Sequence, residues 1–144
     1  MMKKLLLLIP LFLLAFGLNS CNSDDDSTNN VDVLVGSWKI TDIKTGGMSV
    51  YDILMGMPEG CFLNSKVHFY NDFTMKINPY EVVNETCVLQ PDQMGNWSRN
   101  GDTYSYTLQG ETTDSVSLNF VNNNQFFYTV DTGDLIYEVY FSRM

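Results

Sequence analysis

The chain has 144 residues, with 17 acidic and 8 basic side chains and a net charge of −9 when the single histidine is neutral. Such a balance speaks against a nucleic-acid partner, because phosphate backbones select basic surfaces. The length allows one small domain, and an aromatic content of 13% supplies material for its core.

The first 20 residues do not read as part of that domain. Lys3 and Lys4 precede an apolar run from Leu5 to Leu18, about 14 residues, short of the roughly 20 that span a bilayer as a helix. A basic start, a short apolar run and a processing site read as a signal peptide over residues 1–20. Leu18-Asn19-Ser20-Cys21 resembles the cleavage site of bacterial lipoproteins. That resemblance implies an acylated Cys21, a palmitate-type membrane anchor and a place at the cell outer membrane. One acyl chain binds a membrane only reversibly, whereas the two or three of such lipoproteins hold it stably.

Residues 21–30 continue as Asn-Ser-Asp-Asp-Asp-Ser-Thr-Asn-Asn after the cysteine, with no apolar residue. A segment of that composition stays solvated and serves as a tether. Ser23-Asp24-Asp25-Asp26 resembles the surface-export signal of Bacteroidetes lipoproteins, and a plain soluble linker explains it equally well. Asp26-Ser27-Thr28 and Asp114-Ser115-Val116 resemble the O-glycosylation triplet of the same group.

The folded body is expected over residues 31–144, as a monomer. Three acids (Asp24, Asp25, Asp26) and two bases (Lys3, Lys4) precede it, leaving 14 acids and 6 bases, a net charge of −8. This permits a cationic protein partner, but the acids are spread along the chain, and solubility is the simpler reading. Cys61 and Cys87 remain in the body. In the oxidising compartment that the leader implies, a disulfide is expected. A metal site needs further ligands, and His68 with scattered carboxylates is a weak set, so no metal is expected.

Period-two alternation runs through the body. Trp38 and Ile40 lead, then Val67 and Phe69, then Phe73, Met75 and Ile77. Tyr104, Tyr106 and Leu108 follow, then Val116, Leu118 and Phe120. Phe126, Tyr128 and Val130 come next, and finally Leu135, Tyr137, Val139 and Phe141. Such patterns make strands with one buried and one wet face. Asn71-Asp72, Asn100-Gly101, Gly110, Asn122-Asn123-Asn124 and Thr132-Gly133-Asp134 are turn signals. Thr45 to Gly60 breaks the rhythm with four glycines, one proline and Met48, Met55 and Met57; Val50 to Leu54 there reads as a short strand or a helical turn. Short connections after Cys61 predict an all-β, antiparallel up-and-down meander. Its roughly eight or nine strands would close into a small barrel and so remove exposed edges. A two-sheet sandwich is the alternative.

Leu34-Val35-Gly36-Ser37-Trp38 carries a Gly-x-Trp that resembles the first-strand signature of lipocalins and related calycins. Lipocalin-like lipoproteins of the Bacteroidetes type show an ordered set: a Cys before a hairpin, a second Cys, and a second Gly-x-Trp. Here Cys61, Val67 to Asp72, Cys87 and Gly95-Asn96-Trp97 stand in that order. The resemblance implies that Gly36 bends the chain into the barrel and that Trp38 plugs its closed end. It also implies a basic residue packed across the indole, a contact of about 0.5–2 kcal/mol. Arg143 is the candidate and Arg99 the alternative. The chain departs from full lipocalins in lacking a clear Thr-Asp-Tyr turn and a C-terminal helix.

Catalytic constellations are weak. His68 falls on a wet face between Val67 and Phe69, and the bonded cysteines leave no nucleophilic thiol. No phosphate-cradling loop is evident, and no cofactor and no enzymatic activity are expected. Asp131-Thr132-Gly133-Asp134 carries paired carboxylates but lacks calcium-loop spacing, and reads as a hairpin turn. The expected function is binding of a small apolar or amphipathic ligand, with Met48, Met55 and Met57 lining the mouth, since methionine adapts to varied apolar surfaces. The alternative is a protein-interaction module that inhibits a cationic host enzyme of the lysozyme type.

Overall fold

The computed structural model describes residues 31–144. The leader, Cys21 and the tether, including Asp26-Ser27-Thr28, lie outside the described residues.

Alternating side chains build β1 (Gly36–Thr45), which sends Trp38, Ile40 and Ile43 inward. Simple alternation fails between Ile40 and Asp42, where the register against the last strand slips. The extra residue reverses the parity, so Ile40 and Ile43 both face the core although three positions separate them. Gly46 and Gly47, at φ +56° and +79°, turn the chain into β2 (Met48–Ser49). Both signs suit a tight two-residue hairpin, which needs positive φ at each centre. A one-turn helix, α1 (Tyr51–Met55), and a 3₁₀ helix (Pro58–Asn64) follow. The helical turn was one of the two readings of Val50–Leu54. Gly60 is required where the two helices touch: a Cβ there would sit 1.8 Å from the Leu54 carbonyl oxygen.

The barrel resumes with β3 (Lys66–Phe69) and β4 (Thr74–Asn78). An excursion then forms a separate hairpin, β5 (Tyr80–Val83) and β6 (Thr86–Leu89). The walls continue through β7 (Gln93–Asn100), β8 (Thr103–Leu108), β9 (Asp114–Ser117), β10 (Asn119–Asn122), β11 (Gln125–Asp131) and β12 (Ile136–Arg143). The main sheet runs β10-β11-β12-β1-β3-β4-β7-β8-β9, with β2 on β1. Its pairings are antiparallel.

The two edge strands of this order, β9 and β10, are consecutive in the chain and joined by Leu118 alone. The run Val116, Leu118, Phe120, expected as one strand, therefore changes partner at its middle residue, from β8 to β11. The sheet comes round on itself into a nearly closed barrel, an all-β up-and-down architecture.

Two differences concern strand ends. Leu135, expected inward, precedes β12 and is exposed. Phe73, expected to open a strand, adopts φ +63° in the turn before β4, and its ring covers Trp97 at 5.1 Å. Asp131-Thr132-Gly133-Asp134 is a turn in which the Asp131 carboxylate accepts a hydrogen bond from the Gly133 amide at 2.8 Å. Its chemistry is that of an Asx turn.

Cys61 of the 3₁₀ helix and Cys87 of β6 are joined by a disulfide, with Cα atoms 5.4 Å apart. It staples the β5–β6 hairpin to the helix at the barrel end.

Candidate functional site

One end of the barrel is sealed from the N-terminal side of β1. Trp38 is fully buried, and its indole Nε1 donates to the Leu34 carbonyl at 2.7 Å. Leu34 is as buried as Trp38 and forms the plug beside it. Arg143 lies across the indole, 4.4 Å from the ring centroid. Its guanidinium donates to the carbonyls of Val35 (2.7 Å), Val33 (2.7 Å) and Asn123 (3.0 Å). One fork therefore gathers the entry segment, the β10–β11 turn and the tryptophan.

That fork explains Gly36. Its φ is +142°, and a Cβ on it would lie 2.1 Å from the Arg143 Nη1. The glycine is thus the space through which the arginine reaches two carbonyls. Gly95 has a different reason, since a Cβ there would sit 2.5 Å from the Thr107 carbonyl on the neighbouring strand.

Arg99, the alternative partner of Trp38, is placed elsewhere. It pairs with Asp32 at 3.0 Å and lies 5.2 Å from the Tyr104 ring. Asp32 accepts the Tyr104 hydroxyl at 3.2 Å. Burial and then the Asp32 charge push the Tyr104 pKa up to about 12.

Above this floor is an interior cavity of about 270 Å³. Leu34, Met75, Trp97, Tyr104 and Phe126, each nearly or fully buried, form its base. Trp97 donates its indole N–H to the Tyr70 carbonyl at 3.1 Å, which fixes the ring. Ile77, Tyr106, Leu108 and Tyr128, each further along its strand from the Trp38 end, continue the wall upward and are only half-buried, as are Val67 opposite Trp38 and Val116 opposite Tyr104. Burial thus falls from the Trp38 end upward, and the mouth lies at the opposite end.

The lining is apolar apart from a few groups, and the phenols of Tyr106 and Tyr128 are the ones on inward strand positions of the upper wall. Burial raises the pKa of both phenols. The charges of Asp114 and Glu111 add to the effect at Tyr106, and Tyr106 adds to it at Tyr128. Both hydroxyls are therefore neutral at physiological pH and can donate or accept one hydrogen bond.

Met48, Met55 and Met57 do not line this cavity, which corrects the expectation that they form its mouth. Met48 is 71% exposed on the β1–β2 hairpin. Met55 and Met57 border a second hollow of about 150 Å³ beside the disulfide, with Pro58, Val82 and Cys87. The reason is which residues of the helices turn inward. Val50, Tyr51, Leu54 and Leu63 pack on Ile40, Ile43 and Val139 and so take the inward positions. The methionine at the cavity is Met75, which strand alternation had placed on an inward face.

His68 is on the outer wall, between strands rather than at the cavity. Its Nδ1 is 2.6 Å from the Ser37 hydroxyl and its Nε2 is 2.8 Å from the Asn78 amide oxygen. Asn78 in turn donates to Asp92 at 2.6 Å. Since Asn78 presents its oxygen, the imidazole donates to it from Nε2, and Nδ1 shares a hydrogen bond with the Ser37 hydroxyl. The ladder stitches β1, β3 and β4 together. Ser115 also lies outward, its hydroxyl 2.8 Å from that of Ser105.

A lipocalin-like domain model matches residues 34–128, more than half of the chain. The chain belongs to the lipocalin-like family, whose fold implies small-ligand binding in general. Among solved structures, a redesigned β-barrel is similar at 15% identity and a TM-score of 0.40, covering 78% of this chain and 92% of that one. The bovine lipocalin allergen Bos d 2 is similar at 19% identity and a TM-score of 0.42, covering 78% of this chain and 72% of its own. Comparison with curated proteins gives no match.

Proposed function

We propose that this protein is a binding protein for one small apolar or amphipathic molecule, held in the interior cavity above Trp97. The observation that carries this reading is the apolar interior space of about 270 Å³ in a barrel of this family. Ligand sites start at about 300 Å³, and an apolar cavity of about 150 Å³ already takes up benzene. At benzene's volume per heavy atom, the space holds roughly ten such atoms. The ligand is therefore a short chain or a single ring system rather than a long lipid.

The reading includes an anchor: Cys21 acylated, residues 22–30 as tether, and the barrel held at the outer membrane of a Bacteroidetes-type cell. No catalytic role is proposed. The alternative, inhibition of a cationic enzyme, rests on charge, size and the expected anchor, and gains no support from the geometry of the described residues.

Trp97 lines the cavity, so occupancy has a built-in reporter. Titrating 1-octanol into the full chain should change tryptophan emission saturably. A linear response, or none up to the solubility limit, contradicts the reading.

A further inference from the structure

The mouth of the cavity carries charge of one sign. Tyr106 on β8 stands directly opposite Asp114 on β9. Residues directly opposite in an antiparallel pair project to the same face. Tyr106 lines the cavity, so Asp114 occupies the first inward position of β9, at the rim just beyond the lining residue Val116. Glu111 lies in the turn just before it, its amide bonded to the Leu108 carbonyl at 3.0 Å. Both carboxylates act electrostatically on the Tyr106 phenol.

The bases are all elsewhere. Lys39 and Lys44 alternate with the inward Trp38, Ile40 and Ile43, and Lys66 and Lys76 with the inward Val67, Met75 and Ile77. Their side chains therefore project to the outer wall. Lys44 pairs with Asp42 there, and Lys76 with Asp92. Arg99 and Arg143 are committed at the sealed end. These six are the whole basic complement of residues 31–144.

We infer that Asp114, with Glu111 in the adjoining β8–β9 turn adding to its field, forms an electrostatic filter at the cavity mouth, so that the site takes uncharged or cationic amphiphiles and rejects carboxylates. This rests on the binding reading above. An apolar tail would fill the space over Trp97, while a hydroxyl or amine would meet the Tyr106 and Tyr128 phenols. A carboxylate of equal length would have to settle beside two like charges with no base facing it, a repulsion that salt can screen because both acids are exposed.

The test is a matched eight-carbon series on the full chain at neutral pH and low salt: 1-octanol, octylamine and octanoate, followed by tryptophan emission. Octanol and octylamine should bind about tenfold or more tighter than octanoate. Raising salt to about 0.5 M should shrink that ratio. The double variant Asp114→Asn with Glu111→Gln should bring it close to one, by tightening octanoate. Both positions are exposed, so the fold should survive these isosteric changes. Equal affinity for octanol and octanoate in the native chain overturns the filter and leaves the binding reading intact. A ratio unchanged in the double variant also overturns it, because the discrimination would then come from the apolar lining alone. Absence of binding by all three ligands overturns the binding reading and the filter with it.

Discussion

Arg143 makes contacts with three carbonyls and one indole, and each requires the guanidinium rather than a point charge. Arg143→Ala should cost about 2–4 kcal/mol in urea unfolding, from the lost charged hydrogen bonds and cation–π contact. Arg143→Lys should recover only part of it. Gly36→Ala should cost about 1–3 kcal/mol, because its φ of +142° strains any L side chain and its Cβ meets the arginine. The two sites are in contact, so their effects should not add. Once the arginine is truncated, the clash is gone and alanine at 36 should cost less than in the native chain.

Titration at the sealed end gives a second residue-scale expectation. Tyr104 has a folded pKa of about 12 against an ordinary value of 10. The folded state therefore holds its proton more tightly than the unfolded one. Stability from this group is fully present below pH 10, falls as pH rises from about 10 to 12, and levels off above that. The raised phenols of Tyr106 and Tyr128 act in the same direction. Urea midpoints measured across pH 9–12 should fall more steeply in the native chain than in Tyr104→Phe. Parallel curves would assign the alkaline loss to other groups.

At the scale of elements, the helices and the β5–β6 hairpin form a cap tied by one disulfide. In the chain-entropy view a loop of this length contributes about 3–4 kcal/mol. The hairpin lies outside the barrel sheet and exposes Val82, Val83, Val88 and Leu89, so reduction should loosen it first. Limited proteolysis under reducing conditions should cut within residues 80–90 before any barrel strand. Met55→Ala with Met57→Ala should leave octanol affinity unchanged, since neither lines the cavity. A severalfold loss would show that the cap reaches the ligand after all.

The strands were largely legible because one face of each is buried, and period two survives in Tyr104-Tyr106-Leu108 or Phe126-Tyr128-Val130. It failed where the backbone departs from regular pairing. The bulge near Thr41 shows only as a broken parity between Ile40 and Ile43, and the partner switch at Leu118 leaves no trace in alternation. The β5–β6 hairpin was missed because it has two exposed faces and hence no inward pattern. Composition misled at the mouth: three methionines in a loop suggest an apolar rim, but the helices bury Leu54 and Leu63 instead. Leu34, the plug, had a signal in its position two residues before Gly36, within the first apolar residues after a polar run.

At the scale of the whole molecule, the barrel separates its tasks by end. Trp38, Leu34 and Arg143 seal one end, while Asp114 and Glu111 set the charge at the other. The aromatic base links the two: Trp38 packs on Phe126 at 4.8 Å, and Phe126 stacks on Phe141 at 5.0 Å. Phe126 and Phe141 also line the cavity. A ligand would thus rest directly on the core, and its occupancy should raise the unfolding free energy of the whole barrel by mass action.

On the proposed function, a small molecule sits inside the barrel, over Trp97. The most direct measurement is intermolecular NOE spectroscopy of the full chain, isotope-labelled and saturated with unlabelled 1-octanol. Octanol protons should show cross-peaks to the Met75 methyl, to Val67 and Ile77, and to the Trp97 ring. Cross-peaks confined to Met48, Met55, Met57 or the exposed hairpin valines, or none at saturation, would rule out a ligand in the barrel.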